Sequence, residues 1–255
     1  MKKFIILIPI YNDWKSVFQL LENIDLQIAK WDAEVLVLII NDGSTEERTV
    51  TELSFKNIKT VRVMNMKQNQ GHARSNAAGL KYLTEKEDFD YVILMDGDGE
   101  DRAEELTSLF NKSKENPLKT VTANRIKRSE GSFFKLLYEC HKILTYVFTG
   151  KLIKFGNYSC LPKEDAARLV KEACIWSSFS GSVTKIISDR VSVPSIRGIR
   201  YFGPTQMSFF KLLVHSFSII AVFKSSVIFR SVLFLILYLF FVSSNFSIIT
   251  LFPAL

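Results

Sequence analysis

Three apolar runs early in the chain each end at a polar turn carrying Asp, Asn or Gly. Residues 4–10 stop at Tyr11-Asn12-Asp13, residues 34–40 at Asn41-Asp42-Gly43-Ser44-Thr45, and residues 91–95 at Asp96-Gly97-Asp98-Gly99-Glu100. Two more apolar runs cover 58–64 and 120–123, and helical spacing fills 17–29, 71–83 and 103–115. Strands alternating with helices predict an α/β fold, a mostly parallel sheet with helices on both faces. Ligands of such sheets bind outside the carboxyl ends of the strands, where these acidic turns fall. The turn at Asn41–Thr45 is expected to open a helix with Glu46 and Glu47 in its first turn. Further on, Phe133, Phe134, Leu137, His141, Leu144 and Phe148 recur near helical spacing and could pack on the sheet or touch lipid. Pro162 can open a helix to about Ala173, and 191–199 reads as a late strand.

The far end has another character. From Ser231 to Leu255, 25 residues carry no formal charge. Residues 226–245 supply the roughly 20 apolar positions a membrane-crossing helix needs, provided that Arg230 snorkels to the interface. Residues 206–224 interleave Lys211, His215 and Lys224 with Phe, Leu and Ile, as a helix lying in the interface plane would. Lys211, Lys224 and Arg230 all precede the span, which puts the main domain on the cytoplasmic side. The expected organisation is a main domain over 1–205, an interfacial helix over 206–224 and a membrane segment over 225–255. Met-Lys-Lys and the apolar run after it imitate a signal peptide, but the run is short and ends in Tyr11-Asn12-Asp13, so it reads as a buried first strand.

The formal net charge of +7 is uneven: residues 1–118 hold 15 basic and 20 acidic side chains, residues 119–224 hold 17 and 6. An acidic half able to hold a cation thus precedes a basic stretch suited to anionic lipid or phosphorylated ligands. With no zinc spacing, basic region or RNA-binding signature, nucleic acid is not an expected partner. Cys140, Cys160 and Cys174 have no CxxC spacing, which points to reduced structural thiols.

Met95-Asp96-Gly97-Asp98-Gly99-Glu100 carries the sharpest chemistry. Carboxylates alternate with small residues directly after a buried strand, so Asp96 and Asp98 can address one site, and Mg²⁺ is usually shared between one or two carboxylates and substrate phosphates. Gly97 and Gly99 let a ligand come close to the backbone. An EF-hand is excluded, because loop positions six and twelve are Asp101 and Thr107. Asp42 could accept from a base or a ribose hydroxyl. Gln70-Gly71-His72-Ala73-Arg74 opens a helix whose N–H groups, with the Arg74 cation, suit an anion. Walker and dinucleotide spacings are absent.

In this order and spacing, Pro9–Asp13, Asn41–Thr45, Asn69-Gln70-Gly71 and Asp96–Glu100 resemble the family-2 glycosyltransferases of the GT-A fold, and more narrowly the polyprenyl- or dolichyl-phosphate sugar synthases. The resemblance spans about residues 3–208. It implies that Pro9, Tyr11, Asp13 and Asp42 hold the nucleoside of a nucleotide-sugar donor; Gly71, Arg74 and Gly97 are further candidates to contact that donor. It also implies that Asp96, Asp98 and Glu100 hold a divalent metal, Mg²⁺ or Mn²⁺, together with the sugar diphosphate. Arg125 corresponds to an Arg near the sugar or phosphate, and Arg128 could join it. Arg200 and Gly203 match a membrane-proximal motif in which Gln206 replaces the usual Lys. Residues 174–180 carry no carboxylate where hydroxyl-directed relatives place a general base. A polyprenyl phosphate needs none, so the expected reaction is inverting attack by the phosphate oxygen on the anomeric carbon, with Asp98, Arg125 and Arg200 as the catalytic groups. The remaining alternatives are transfer to a hydroxyl of a lipid-linked saccharide or surface glycan, a non-catalytic nucleotide-sugar binder, and a nucleotidyltransferase. A homo-oligomer is compatible with the sequence.

Overall fold

A computed structural model describes residues 1–46, 54–127, 132–204 and 209–251. The helix expected after Thr45 falls on 47–53, and Arg128, Thr205 and Gln206 also lie outside the described residues.

The strands are β1 (Lys2–Ile10), β2 (Ala33–Asn41), β3 (Ile58–Asn65), β4 (Tyr91–Leu94), β5 (Thr120–Lys127), β6 (Phe155–Pro162) and β7 (Arg190–Ile196). They form one sheet in the order β3-β2-β1-β4-β6-β5-β7. β1 is parallel to β2 and β4, β2 to β3, and β5 to β7, whereas β6 runs antiparallel between β4 and β5. The near-continuous apolar runs of β1 and β2 follow from burial on both faces. Phe4, Ile6, Ile8 and Ile10 enter one core, while Ile5 and Leu7 enter the other.

The first core is covered by α1 (Trp14–Gln27) and α3 (Leu106–Glu115), the second by α2 (His72–Lys86), α5 (Lys163–Val170) and α6 (Phe179–Ile186). In α1 the apolar residues Trp14, Val17, Leu20, Leu21 and Ile24 share one buried stripe at helical spacing. Asp25 ties this helix to the sheet by accepting from the backbone N–H groups of Lys56, Asn57 and Ile58, at 3.1, 2.8 and 2.8 Å. Burial would raise its carboxyl, but these bonds outweigh burial and hold it below the ordinary range.

Three expectations need correction. β6 had no counterpart in the sequence reading, because Gly156, Asn157 and Ser159 break its apolar pattern. β5 runs to Lys127 rather than ending at Ala123, since Asn124 and Arg125 break the apolar run while the backbone goes on pairing with β7. The helix after Pro162 stops at Val170, before a short 3-10 turn over Ala173–Trp176.

At the C-terminal end, α4 (Ser132–Thr149) packs mainly on α7 (Phe209–Val222) and α8 (Lys224–Leu251). Phe148 meets Phe234 edge-on at 6.3 Å, and Arg230 Nη1 donates to the Val147 carbonyl at 3.1 Å. The Arg230 guanidinium therefore sits at the negative end of α4. Among the described residues, one helical stretch, Lys224–Ser243, is long and apolar enough to cross a membrane by length and composition, with mean hydropathy 2.2 and none of it buried.

Candidate active site

The site grows from the carboxyl ends of β1, β2 and β4, which the parallel register brings side by side. After β1, Asn12 takes a left-handed backbone with φ +50°, uncommon for a residue with a side chain. Its side-chain oxygen accepts from the Thr45 and Glu46 N–H groups, and its own N–H donates to Ser44 Oγ at 2.9 Å. The β1 and β2 turns are thereby locked together, with Tyr11 half exposed and Asp13 at their edge.

Asp42 is almost completely buried, and its two oxygens accept from the N–H groups of Gln70 and Gly71, each at 2.8 Å. Gly71 has φ +86°, which favours glycine at the start of α2. Asp42 and Gly71 thus join two turns of the site to each other. Arg74 lies outside the acidic cluster and donates to Gln70 Oε1 at 3.1 Å.

After β4 the acidic loop brings four carboxylates together, and each has a basic partner. Asp96 pairs with His72 at 2.8 Å and accepts from Asn157 at 3.2 Å. Asp98 pairs with Arg200 at 2.9 Å, Glu100 with Arg197, and Asp101 with Arg125 at 3.4 Å. Arg200 also holds Asp13, so a single guanidinium bridges the ends of β1 and β4. Asp101 further accepts from the Asp96 N–H at 3.0 Å, closing the loop on itself.

Residues 197–202 cross this loop as a strap. Gly198 N–H donates to the Glu100 carbonyl at 2.8 Å and Tyr201 N–H to the Asp98 carbonyl at 2.9 Å. The Tyr201 hydroxyl accepts from Asn23 of α1 at 2.8 Å. Its ring lies over Gly99, where a Cβ would come within 2.6 Å of it, and Gly99 itself has φ +88°. A Cβ on Gly97 would meet Ile10 at 2.8 Å. At both glycines the group that comes close to the backbone is therefore protein. Pro9 presents its carbonyl beside Gly97.

The structure brings Asp13, Asp96, Asp98, Glu100, Arg125 and Arg200 into one network and adds residues that the sequence reading did not assign. His72, Asn157, Arg197, Tyr201 and Asn23 come from four separate elements or loops, and no spacing links them.

Crowded carboxylates shift one another. Burial, together with Asp96 and Glu100, pushes the Asp98 carboxyl up to about 6 despite Arg200. Burial and Asp96 raise Asp101 to about 7, with Arg125 opposing. For Asp96 burial acts upward, but the His72 charge and hydrogen bond, with Arg125 and Arg197, outweigh it and hold it well below the ordinary range. The cluster is electrostatically poised for added positive charge. Its donors are hard carboxylate oxygens, which fit Mg²⁺ or Mn²⁺. Among the described residues no three acidic, His or Cys side chains converge on one point, since each carboxylate is turned to its own base.

Residues 5–175 match the family model described as glycosyl transferase family 2. The chain is 26% identical over 218 residues to undecaprenyl-phosphate 4-deoxy-4-formamido-L-arabinose transferase of Klebsiella pneumoniae (strain 342), covering 83% of this chain and 64% of that one. Glucosyl-3-phosphoglycerate synthase from Mycobacterium tuberculosis, solved with Mn²⁺, UDP-glucose and phosphoglyceric acid, superposes with TM-score 0.62 at 12% identity, covering 89% of this chain and 80% of that one. A second structure of that enzyme, with Mn²⁺, UDP and glucosyl-3-phosphoglycerate, gives TM-score 0.59 at 15% identity, covering 88% and 80%. These neighbours share the GT-A architecture of the sheet. The match over 5–175, spanning every strand that builds the acidic site, means that the chain belongs to glycosyl transferase family 2.

Proposed function

We propose that the protein is a membrane-attached glycosyltransferase that moves a sugar from a nucleotide-sugar to polyprenyl phosphate, with inversion at the anomeric carbon. The observation that carries this reading is the Asp96-x-Asp98 pair at the carboxyl end of β4, with Arg200 on Asp98 and Arg125 on the neighbouring Asp101. The name of the Klebsiella relative, an undecaprenyl-phosphate sugar transferase, supports the acceptor. The apolar helix at Lys224–Ser243 supports membrane attachment, and the basic residues before it support a cytoplasmic active site.

Asp96, Asp98 and Glu100 would hold the divalent ion, which when bound supplies positive charge to the leaving nucleoside diphosphate. The turns joined by Asn12 and Asp42 position the nucleoside end of the donor. Arg125 and Arg200 orient anionic oxygens of donor and acceptor by charge-assisted hydrogen bonds. An acceptor phosphate oxygen forms the new bond to the anomeric carbon as the bond to the diphosphate breaks. That oxygen is already ionised at neutral pH and needs no base, in keeping with a site in which Asp13 and the carboxylates of the acidic loop are engaged by basic side chains.

Purified full-length protein incubated with a panel of nucleotide-sugars, undecaprenyl phosphate and Mn²⁺ or Mg²⁺ should form a glycosyl phospholipid whose sugar has inverted configuration by NMR. Metal-independent turnover, or turnover only with hydroxyl acceptors, would overturn the reading.

A further inference from the structure

Successive side chains of a strand point to opposite faces, so β5 serves two surfaces. Arg125 turns to the acidic cluster. Its neighbour Asn124 turns to the other face of the sheet, where a cavity of about 170 Å³ opens beside the edge strand β7.

Two cations line this cavity, Arg190 of β7 and Lys154 just before β6. Neither forms an ion pair among the described residues. Asp189, next in sequence to Arg190, is taken by Lys119 at 2.9 Å. Arg190 is half-buried; its guanidinium lies 5.7 Å from the Phe155 ring centroid, and its Nη1 donates to the Ile187 carbonyl at 2.7 Å. Those contacts fix its direction and leave it further N–H donors and, among the described residues, no carboxylate opposite its charge. Burial lowers its pKa and no carboxylate opposes the shift. A half-buried guanidinium without a counter-ion is costly unless an anion arrives. Neutral donors share the same wall: Ser192, and Asn124, whose amide oxygen accepts from Thr122 at 3.4 Å, which leaves its NH₂ for the cavity.

We propose that this cavity is a binding site for a phosphate group, separate from the acidic site on the opposite face of the sheet. Its size suits one phosphate with a few waters, and two cations with neutral donors match three or four anionic oxygens. The rim points to where such a group would come from. Leu152 lines the cavity and is exposed, and Gly150 rests against Arg230 near the start of α8. A phospholipid headgroup and a free phosphate present the same chemistry here. The backbone bond from Arg125 N–H to the Lys154 carbonyl, 3.0 Å, joins the cavity to the strand that carries Arg125.

The test uses the full chain in neutral detergent, titrated with inorganic phosphate at constant ionic strength, and in nanodiscs of phosphatidylcholine with or without phosphatidylglycerol, followed by thermal unfolding. Wild type should show saturable stabilisation, and Lys154→Gln and Arg190→Gln should each weaken binding about tenfold, the loss of one charge-assisted contact. Saturation by inorganic phosphate marks a soluble ligand; a response confined to phosphatidylglycerol marks a lipid headgroup. Among the described residues Lys154 makes no side-chain bond to lose, so its variant separates binding from folding, and Arg190→Lys should keep part of the response. No stabilisation by either probe, or equal stabilisation of wild type and Lys154→Gln, would overturn the site. Sugar transfer is not read in this experiment, so its outcome is independent of the proposed activity.

Discussion

Arg200 lies 102 residues from Asp98 in sequence, yet its Nη1 sits 2.9 Å from Asp98 Oδ2 while its Nη2 holds Asp13. One guanidinium thus supplies positive charge between two strand ends where the proposed reaction requires a divalent ion. Arg200→Gln should bind Mn²⁺ about three- to tenfold more tightly without donor, because a like charge leaves the site. It should also lose most transfer activity. Electron paramagnetic resonance of Mn²⁺ reads the first effect without turnover; unchanged affinity would mean that Arg200 and the ion do not compete.

Asp98→Asn should stabilise the apo protein while abolishing transfer. The folded-state pKa of Asp98, about 6, lies above its ordinary 3.8, so between those values the folded state holds more protons than the unfolded state. By linkage, stability falls as pH rises through that window, and the ionised carboxylate costs on the order of 3 kcal/mol above it. Asp101, raised to about 7, acts in the same direction. The Tm of wild type relative to the Asn variant should therefore fall from pH 4 to pH 7. Parallel melting curves across that range would show that the charge crowding is not felt.

Gly99→Ala should destabilise the protein by about 1–3 kcal/mol, since Gly99 combines a left-handed backbone with the Tyr201 ring directly above it. Tyr201→Ala removes the steric part only. In a double-mutant cycle from chemical denaturation, the pair should cost less than the sum of the single variants. Strict additivity would mean that the ring and the loop do not press on each other.

Asp25→Ala should cost about 2–4 kcal/mol, because three backbone N–H groups lose a buried charged acceptor. Urea denaturation at neutral pH reads the loss. Its folded-state pKa is depressed, so the Asp25 contribution is present above the unfolded value and fades as pH falls through the folded one.

Deleting residues 224–255 should release the protein from membrane fractions while the sheet and its acidic site keep their fold, since both buried cores are complete before Lys224. Persistent sedimentation with membranes would assign attachment to α7 or α4 instead.

The strands β1, β2 and β4 and the acidic turn after β4 were legible because buried parallel strands are written as unbroken apolar runs. β6 was illegible for the converse reason: Gly156, Asn157 and Ser159 sit in a strand whose pairing, rather than its composition, makes it one. Asp96, Asp98 and Glu100 stood out as local neighbours with alternating spacing. Their partners His72, Arg197 and Arg200 did not, since opposite charges far apart in a chain carry no mark of who will meet whom.

The amino-acid order alone determined the α/β alternation, the carboxylates at the end of β4 and the long apolar helix at the C-terminal end. Each depends on residues close in sequence, through period, burial and length. Only the tertiary structure decided that every acid of the loop after β4 faces a base, that Tyr201 lies over Gly99 and that Arg190 has no ion-pair partner among the described residues. Those are consequences of distance in space, set by how a seven-stranded sheet brings loops from across the chain to one edge.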